Sequence, residues 1–297
     1  MIAYLPEIYQ DELLYSWLSR TYVQSGYMSY LFFSQEIYAR KAQKPNIEFI
    51  NELKPEIVRW LTRNMEMGDL IKKHTMFPYY GRFMRPDRRN KMFDCLVNMD
   101  VSCNMNMGLP RYKNRLDRYL RYCPLCAKED REKYGETYWH RVHQISGISV
   151  CPEHKCLLQN SNVIMNRNNT TVLFPAEEAG INDNDVVISR SEFENTLSCY
   201  MAAVFQSDVN MCESVGEFLK QKIQRSEYTL NKSGNCNMQK IHSDFLKWYK
   251  RDQSCFEESW QIGKVLTDVR SNFDEVCILA LFLNLSANEL ARMKLKA

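Results

Sequence analysis

Two tetrapeptides in the middle of the chain, Cys-Pro-Leu-Cys at 123–126 and Cys-Pro-Glu-His at 151–154, combine the residue types and spacing of metal chemistry. A zinc ion takes four thiolate or imidazole donors at tetrahedral corners, and a Cys-x2-Cys turn presents two of them from one tight knuckle. Proline inside each turn fixes its backbone. Separated by 24 residues, the two knuckles make a closed Cys3His set, Cys123, Cys126, Cys151 and His154, around one structural Zn2+.

A rival set joins Cys123 and Cys126 to His140 and His143, in the manner of a Cys2His2 finger. Finger histidines are normally separated by roughly three to five residues rather than two, and this choice leaves the repeated Cys-Pro-x-His turn unexplained. The first set is preferred. His140 and His143 are expected on one face of a short helix over 136–142, packing or hydrogen-bonding beside the site. Four protein donors leave no position for a reacting water. No His-Glu-x-x-His helix, deaminase-like His-x-Glu, Walker loop or Gly-x-Ser-x-Gly elbow accompanies the cysteines. Glu136 and Glu153 are available as bases, but nothing positions them against a substrate-bearing metal. The expectation is a structural metal and no enzyme.

The elements that must position these knuckles are expected to be helices, since ten glycines and nine prolines are few for 297 residues. Asp11 is placed to cap a helix ending at Gly26, and Ser29 to cap a second over 30–39, a pair that matches the start of a helix-turn-helix. Further helices are expected over 46–53, over 55–63 with Pro55 in its first turn, over 70–74 and from Pro86 to about 98. The asparagine-rich stretch 158–188, with β-branched patches at 170–174 and 186–188, reads as a loop with a small hairpin. Helical patterns return over 191–205, 212–225, 238–251, 262–270, 273–283 and 287–293, the last with a Ser286/Glu289 capping box. A polar turn at 230–235 makes a second helix-turn-helix candidate. The fold class is therefore mainly α: an N-terminal helical domain (1–110), a central zinc-knuckle module (111–160), a linker or hairpin (161–190) and a second helical lobe (191–297).

Thirty-nine Lys+Arg against 36 Asp+Glu give a formal charge of +3, too little to indicate nucleic-acid binding from the total alone. The distribution is uneven. Arg88 and Arg89 belong to one basic segment, while Arg111, Lys113, Arg115, Arg118 and Arg121, interleaved with tyrosines, form another just before the first knuckle. Such runs read equally as solvated faces or as surfaces that meet DNA phosphates. Eleven cysteines in a chain whose N-terminus lacks a secretory pattern are expected to be mostly reduced, in the cytoplasm. The longest apolar stretch, 276–285, is interrupted by Asn284 and too short to span a bilayer.

Three stretches together resemble the TniQ/TnsD family of transposon target-selection proteins: LPEIYQDELLYSWLSRTYVQSG from Leu5, HTMFPYYGRFM from His74, and RYCPLCAKEDREKYGETYWHRVHQISGISVCPEHKCLL from Arg121 to Leu158. The resemblance implies a non-enzymatic adaptor of heteromeric cut-and-paste transposons. Such an adaptor binds double-stranded target DNA or rides on a CRISPR effector complex, and recruits an AAA+ ATPase regulator that admits the transposase. It implies a cytoplasmic protein, on the nucleoid when bound to DNA. It also implies that Cys123, Cys126, Cys151 and His154 are the zinc ligands and that Tyr138 and Trp139 form the aromatic core of the zinc element. The HTMFPYYGRFM stretch is closer to the attachment-site-binding branch, whose members usually run longer.

Overall fold

A computed structural model describes residues 4–40, 43–100, 118–165, 173–229, 236–268 and 272–294. Among these the chain is mainly helical, with thirteen α-helices and one two-stranded sheet. It divides into two compact units: Met1–Phe77 with Met92–Arg190, and Pro78–Lys91 with Ser191–Ala297. The N-terminal helices and the cysteine–histidine segment thus belong to the same unit.

The first unit begins with α1 (Leu14–Ser25), α2 (Tyr30–Ile37), α3 (Pro55–Leu61) and α4 (Met67–His74). Leu14, Trp17, Leu18 and Thr21 of α1 are buried at helical spacing, and Gly26 ends the helix in the left-handed conformation at φ 69°. Ser29 caps α2 through Leu31 N at 3.2 Å, and Pro55 occupies the first turn of α3, both as expected. Asp11 does not cap α1. Leu13 takes that position, and the Asp11 carboxylate accepts instead from Arg141 Nε at 3.1 Å and Val142 N at 3.0 Å. Nor do residues 46–53 form a helix. The Asn46 side chain accepts from Glu48 N at 3.1 Å and Phe49 N at 3.0 Å, a local turn that competes with helical hydrogen bonding. Leu53 then pairs with Tyr38 in an antiparallel bridge.

Two helices, α5 (Phe77–Gly81) and α6 (Pro86–Val97), span the points where the chain passes between units. The first unit resumes with β1 (Tyr119–Tyr122), α7 (Pro124–Tyr134) and β2 (Gln159–Ile164). The two strands are antiparallel, with Arg121 opposite Asn160 and an irregularity between Tyr119 and Arg121. Of the two β-branched patches expected in this stretch, residues 170–172 lie outside the described set, and Ile188 bridges to Cys156.

The second unit contains α8 (Glu192–Gln206), α9 (Val215–Gln224), α10 (Met238–Trp248), α11 (Ser259–Leu266), α12 (Phe273–Phe282) and α13 (Ala287–Arg292). All six expected helices are present. The apolar run of α12 buries Phe273, Val276, Cys277, Ile278, Leu279 and Ala280, so it is hydrophobic on nearly every side and packs as a core helix against α8 and α13. Ser286 and Glu289 form the capping box of α13. The candidate turn at 230–235 lies outside the described residues. No helix among the described residues is long and apolar enough to cross a membrane.

One buried histidine ties α4 to the segment before α1. His74 is 5% exposed and its Nδ1–H donates to the Glu12 carbonyl at 2.9 Å. Burial pushes His74 from its ordinary 6.5 down to about 4. In that window the unfolded chain binds the proton and the folded chain does not, so stability rises with pH across it and is lost as pH falls from 6.5 towards 4. The full loss from this residue is about 3 kcal/mol. Denaturant titrations at stepped pH are expected to show the decline, and His74→Gln, which cannot take the proton, loses less stability across the same window.

Candidate metal centre

Cys123 stands at the N-cap of α7, where its Sγ accepts from Cys126 N at 3.4 Å and Pro124 fills the first helical position. The Cys-Pro-Leu-Cys knuckle is thus a helix N-terminus that holds its two sulfurs together. In the second knuckle Lys155 N donates to Cys151 O at 2.9 Å, and Lys155 takes a left-handed φ of 54°. The chain then turns back, so that Cys151 N donates to Cys156 O at 2.8 Å and Val150 pairs with Leu157.

These two turns bring Cys123, Cys126, Cys151 and His154 together, with their donor atoms all within 4.8 Å of one another. His154 Nδ1 lies 3.5 Å from Cys123 Sγ, 3.3 Å from Cys126 Sγ and 3.8 Å from Cys151 Sγ, and Cys126 and Cys151 sulfurs are 3.7 Å apart. Around a tetrahedral ion with thiolate bonds of about 2.3 Å and imidazole bonds of about 2.0 Å, such edges are expected at roughly 3.5–3.8 Å. His154 Nε2 sits 2.9 Å from Glu129 Oε1, so the carboxylate takes the ring N–H and leaves the Nδ1 lone pair facing the sulfurs. The three cysteines are buried and the histidine closes the outer side. Hydrogen bonds among neighbouring thiols push Cys123 up and hold Cys151 below the ordinary cysteine value. Crowded sulfurs cannot all ionise together unless a cation compensates them. The donor set can hold a metal ion.

Two further donors touch the cluster. Cys156 is buried with its Sγ 3.2 Å from that of Cys123. Its position two residues after His154, in the same turn, was the available signal. His143 Nε2 lies 3.7 Å from Cys126 Sγ and 3.8 Å from Cys151 Sγ. The expected helix over 136–142 is absent: His140 pairs its backbone with Glu12, and Val142–Gln144 forms a single 3-10 turn. The backbone bonds of this segment go to the entrance of α1 instead. Leu13 N donates to Trp139 O at 2.9 Å, Trp139 N to Ser16 Oγ at 3.0 Å and Arg141 N to Asp11 O at 2.9 Å. Trp139 is fully buried with its indole N–H on Phe174 O at 2.9 Å, and Tyr138 donates to Gln10 O at 3.0 Å. His140 meets Asp130 Oδ2 at 2.9 Å. Cys95 is disulfide-bonded, an exception to the expectation of mostly reduced cysteines.

The basic candidates are dispersed. Arg111, Lys113 and Arg115 lie outside the described residues. Arg118 pairs with Glu48 at 3.2 Å, and Arg121 donates to the Ile145 and Ile148 carbonyls, both side chains being half-buried. Arg88 is exposed on α6, but Arg89 corrects the expectation of a phosphate-facing residue. It is fully buried, and its guanidinium donates to the carbonyls of Arg82, Met84 and Glu213 at 2.8, 3.1 and 2.9 Å. A desolvated guanidinium needs fixed acceptors, and here its two terminal nitrogens find them on the backbone.

Over 156 residues the chain is 28% identical to the transposon Tn7 transposition protein TnsD of Escherichia coli, a stretch that makes up 52% of this chain and 30% of that protein. The matched stretch thus spans under a third of that relative's length. The family model described as TniQ matches residues 3–158, from the segment before α1 through both knuckles. Since that match covers more than half of the sequence and encloses the whole cysteine–histidine cluster, the chain belongs to the TniQ family.

Proposed function

We propose that this chain is a target-selecting adaptor of a Tn7-like transposon. In this reading it binds double-stranded target DNA in the cytoplasm, on the nucleoid, and recruits the AAA+ ATPase regulator that admits the transposase. The observation that carries the proposal is the TniQ match over 3–158, which spans both the N-terminal helices and the cysteine–histidine cluster. The ion is one structural Zn2+ on Cys123, Cys126, Cys151 and His154, supplying folding energy to the segment it staples. A closed set of three thiolates and an imidazole fits that role and leaves no position for catalysis. The stapled segment then serves within the unit that also holds the N-terminal helices, and 191–297 supplies the second helical region.

DNA contact in this reading falls to phosphates met by basic residues among Arg88, Arg111, Lys113, Arg115, Arg118 and Arg121, with a helix supplying base readout. A second reading, an adaptor that docks the ATPase or a CRISPR effector through protein alone, is favoured by a specific observation. Arg89, Arg118 and Arg121 spend donors inside the protein, while Val23, Met28, Leu31 and Phe32 expose apolar surface around the turn between α1 and α2. Fluorescence anisotropy on attachment-site DNA separates the two. Direct binding predicts an affinity that falls steeply with salt, by a log–log slope of about −0.9 per phosphate neutralised. Absence of binding even at low salt, with ATPase capture that survives nuclease treatment, gives the protein-only adaptor.

A further inference from the structure

His143 is a buried polar side chain of the metal centre that the ligand set does not use. His154 Nδ1 approaches all three ligand sulfurs, at 3.3 to 3.8 Å. His143 Nε2 instead approaches one edge of that triangle, 3.7 Å from Cys126 and 3.8 Å from Cys151. Its other nitrogen, Nδ1, is buried with no hydrogen-bond partner among the described residues. An apolar side chain of similar size would strand no such atom, so the position is made for what Nε2 does. The ring is also held in place: Val142 N donates to Asp11 Oδ2 at 3.0 Å, and His140, fixed by Asp130, packs against His143 with ring centroids 4.8 Å apart and planes tilted by 41°.

The chemistry of the donor set says what Nε2 is for. Three thiolates and a neutral imidazole leave a net negative charge on a divalent ion, in a place shielded from water, and donors to the sulfurs disperse it. Cys123 already has two, the Cys126 backbone N–H at 3.4 Å and the Cys156 thiol at 3.2 Å. Cys126 and Cys151 share the third. We infer, on the reading of this cluster as a metal centre, that His143 is a positioning residue whose Nε2–H is donated to the Cys126 and Cys151 sulfurs. It thereby links the ion to the segment that docks on α1.

The test uses the full chain with Zn2+ alone in competition with a chromogenic chelator, and with Co2+ as a spectroscopic substitute. His143→Leu removes the N–H at similar volume, and His143→Gln restores an N–H near the Nε2 position. Metal affinity of the leucine variant is expected to fall about 10- to 100-fold. Its thiolate-to-cobalt charge-transfer band moves to lower energy, because sulfurs without a donor give up electrons more readily, while the ligand-field pattern of three sulfurs and one nitrogen is kept. The glutamine variant stays near wild type in both, and decides the matter if the leucine variant fails to fold. A leucine variant with unmoved band and affinity, even if it melts lower, overturns the inference, as does a glutamine variant that matches leucine or a spectrum that loses its nitrogen ligand. A wild-type chain that takes up neither metal overturns the metal reading itself, an outcome distinct from all of these.

Discussion

Cys151→Ser is expected to release the metal and unfold the segment from β1 to β2, lowering the stability of the chain by on the order of several kcal/mol. Apparent binding free energies of structural zinc sites are about 10–16 kcal/mol and count as folding free energy. Cys151 is fully buried and contacts both the Cys126 sulfur and the His154 imidazole, so a hydroxyl there weakens the whole set. The effect extends to α1, because Trp139 and Arg141, between the two knuckles, hold its entrance. Thermal unfolding followed by circular dichroism checks this: the variant melts as the wild type does in excess chelator, and chelator has no further effect on it. Cys212→Ser, at an exposed free thiol, leaves the melt unchanged.

Arg20→Met is expected to cost about 3–5 kcal/mol, the usual penalty for stripping one partner from a buried ion pair. Arg20 is 1% and Glu12 0% exposed, with Nε and Oε1 3.1 Å apart. The guanidinium also donates to the Glu7 carbonyl at 2.9 Å, meets Glu136 at 3.3 Å and lies 3.8 Å from the Tyr9 ring centroid. Methionine fills much of the volume but leaves the Glu12 carboxylate buried without its cation. Burial already raises the Glu12 pKa against the pull of Arg20, and removing that pull raises it further. A carboxyl whose folded pKa lies above its unfolded value favours the fold at low pH and disfavours it as pH rises through the two values. The deficit measured by urea titration should therefore shrink on acidification. Glu12→Gln added to Arg20→Met recovers part of the loss, since no unpaired charge then remains.

How much of this was legible in the sequence depends on how local each feature is. The four residues of the cluster were, because each Cys-Pro-x-Cys or Cys-Pro-x-His turn makes its geometry within four residues and the repetition selects the pair. Ser29, Pro55 and Ser286 act on the first turn of their own helices, and the apolar run of α12 declares its burial. Asp11 carries the same cap chemistry as Ser29, yet a partner 130 residues away, Arg141, claims its carboxylate. The helix expected over 136–142 fails for the same reason, since the backbone there bonds to the start of α1. The pairing of β1 with β2 joins Arg121 to Asn160 across the whole metal segment, beyond any hairpin signal. Arg89 lies in a basic run but points inward, because charge clustering along a chain carries no direction; only the carbonyls of Arg82, Met84 and Glu213 reveal it. His143 joins the cluster only once the two knuckles are brought together, whereas Cys156 follows His154 within the second knuckle's own turn.

The claim on which the rest depends is that one ion on Cys123, Cys126, Cys151 and His154 staples the TniQ element. Native mass spectrometry of the purified full chain reads it directly. One zinc per folded chain is predicted, kept in His140→Ala and lost in Cys151→Ser. A folded chain without metal, or a His140→Ala chain that loses the zinc while Cys151→Ser retains it, would contradict it.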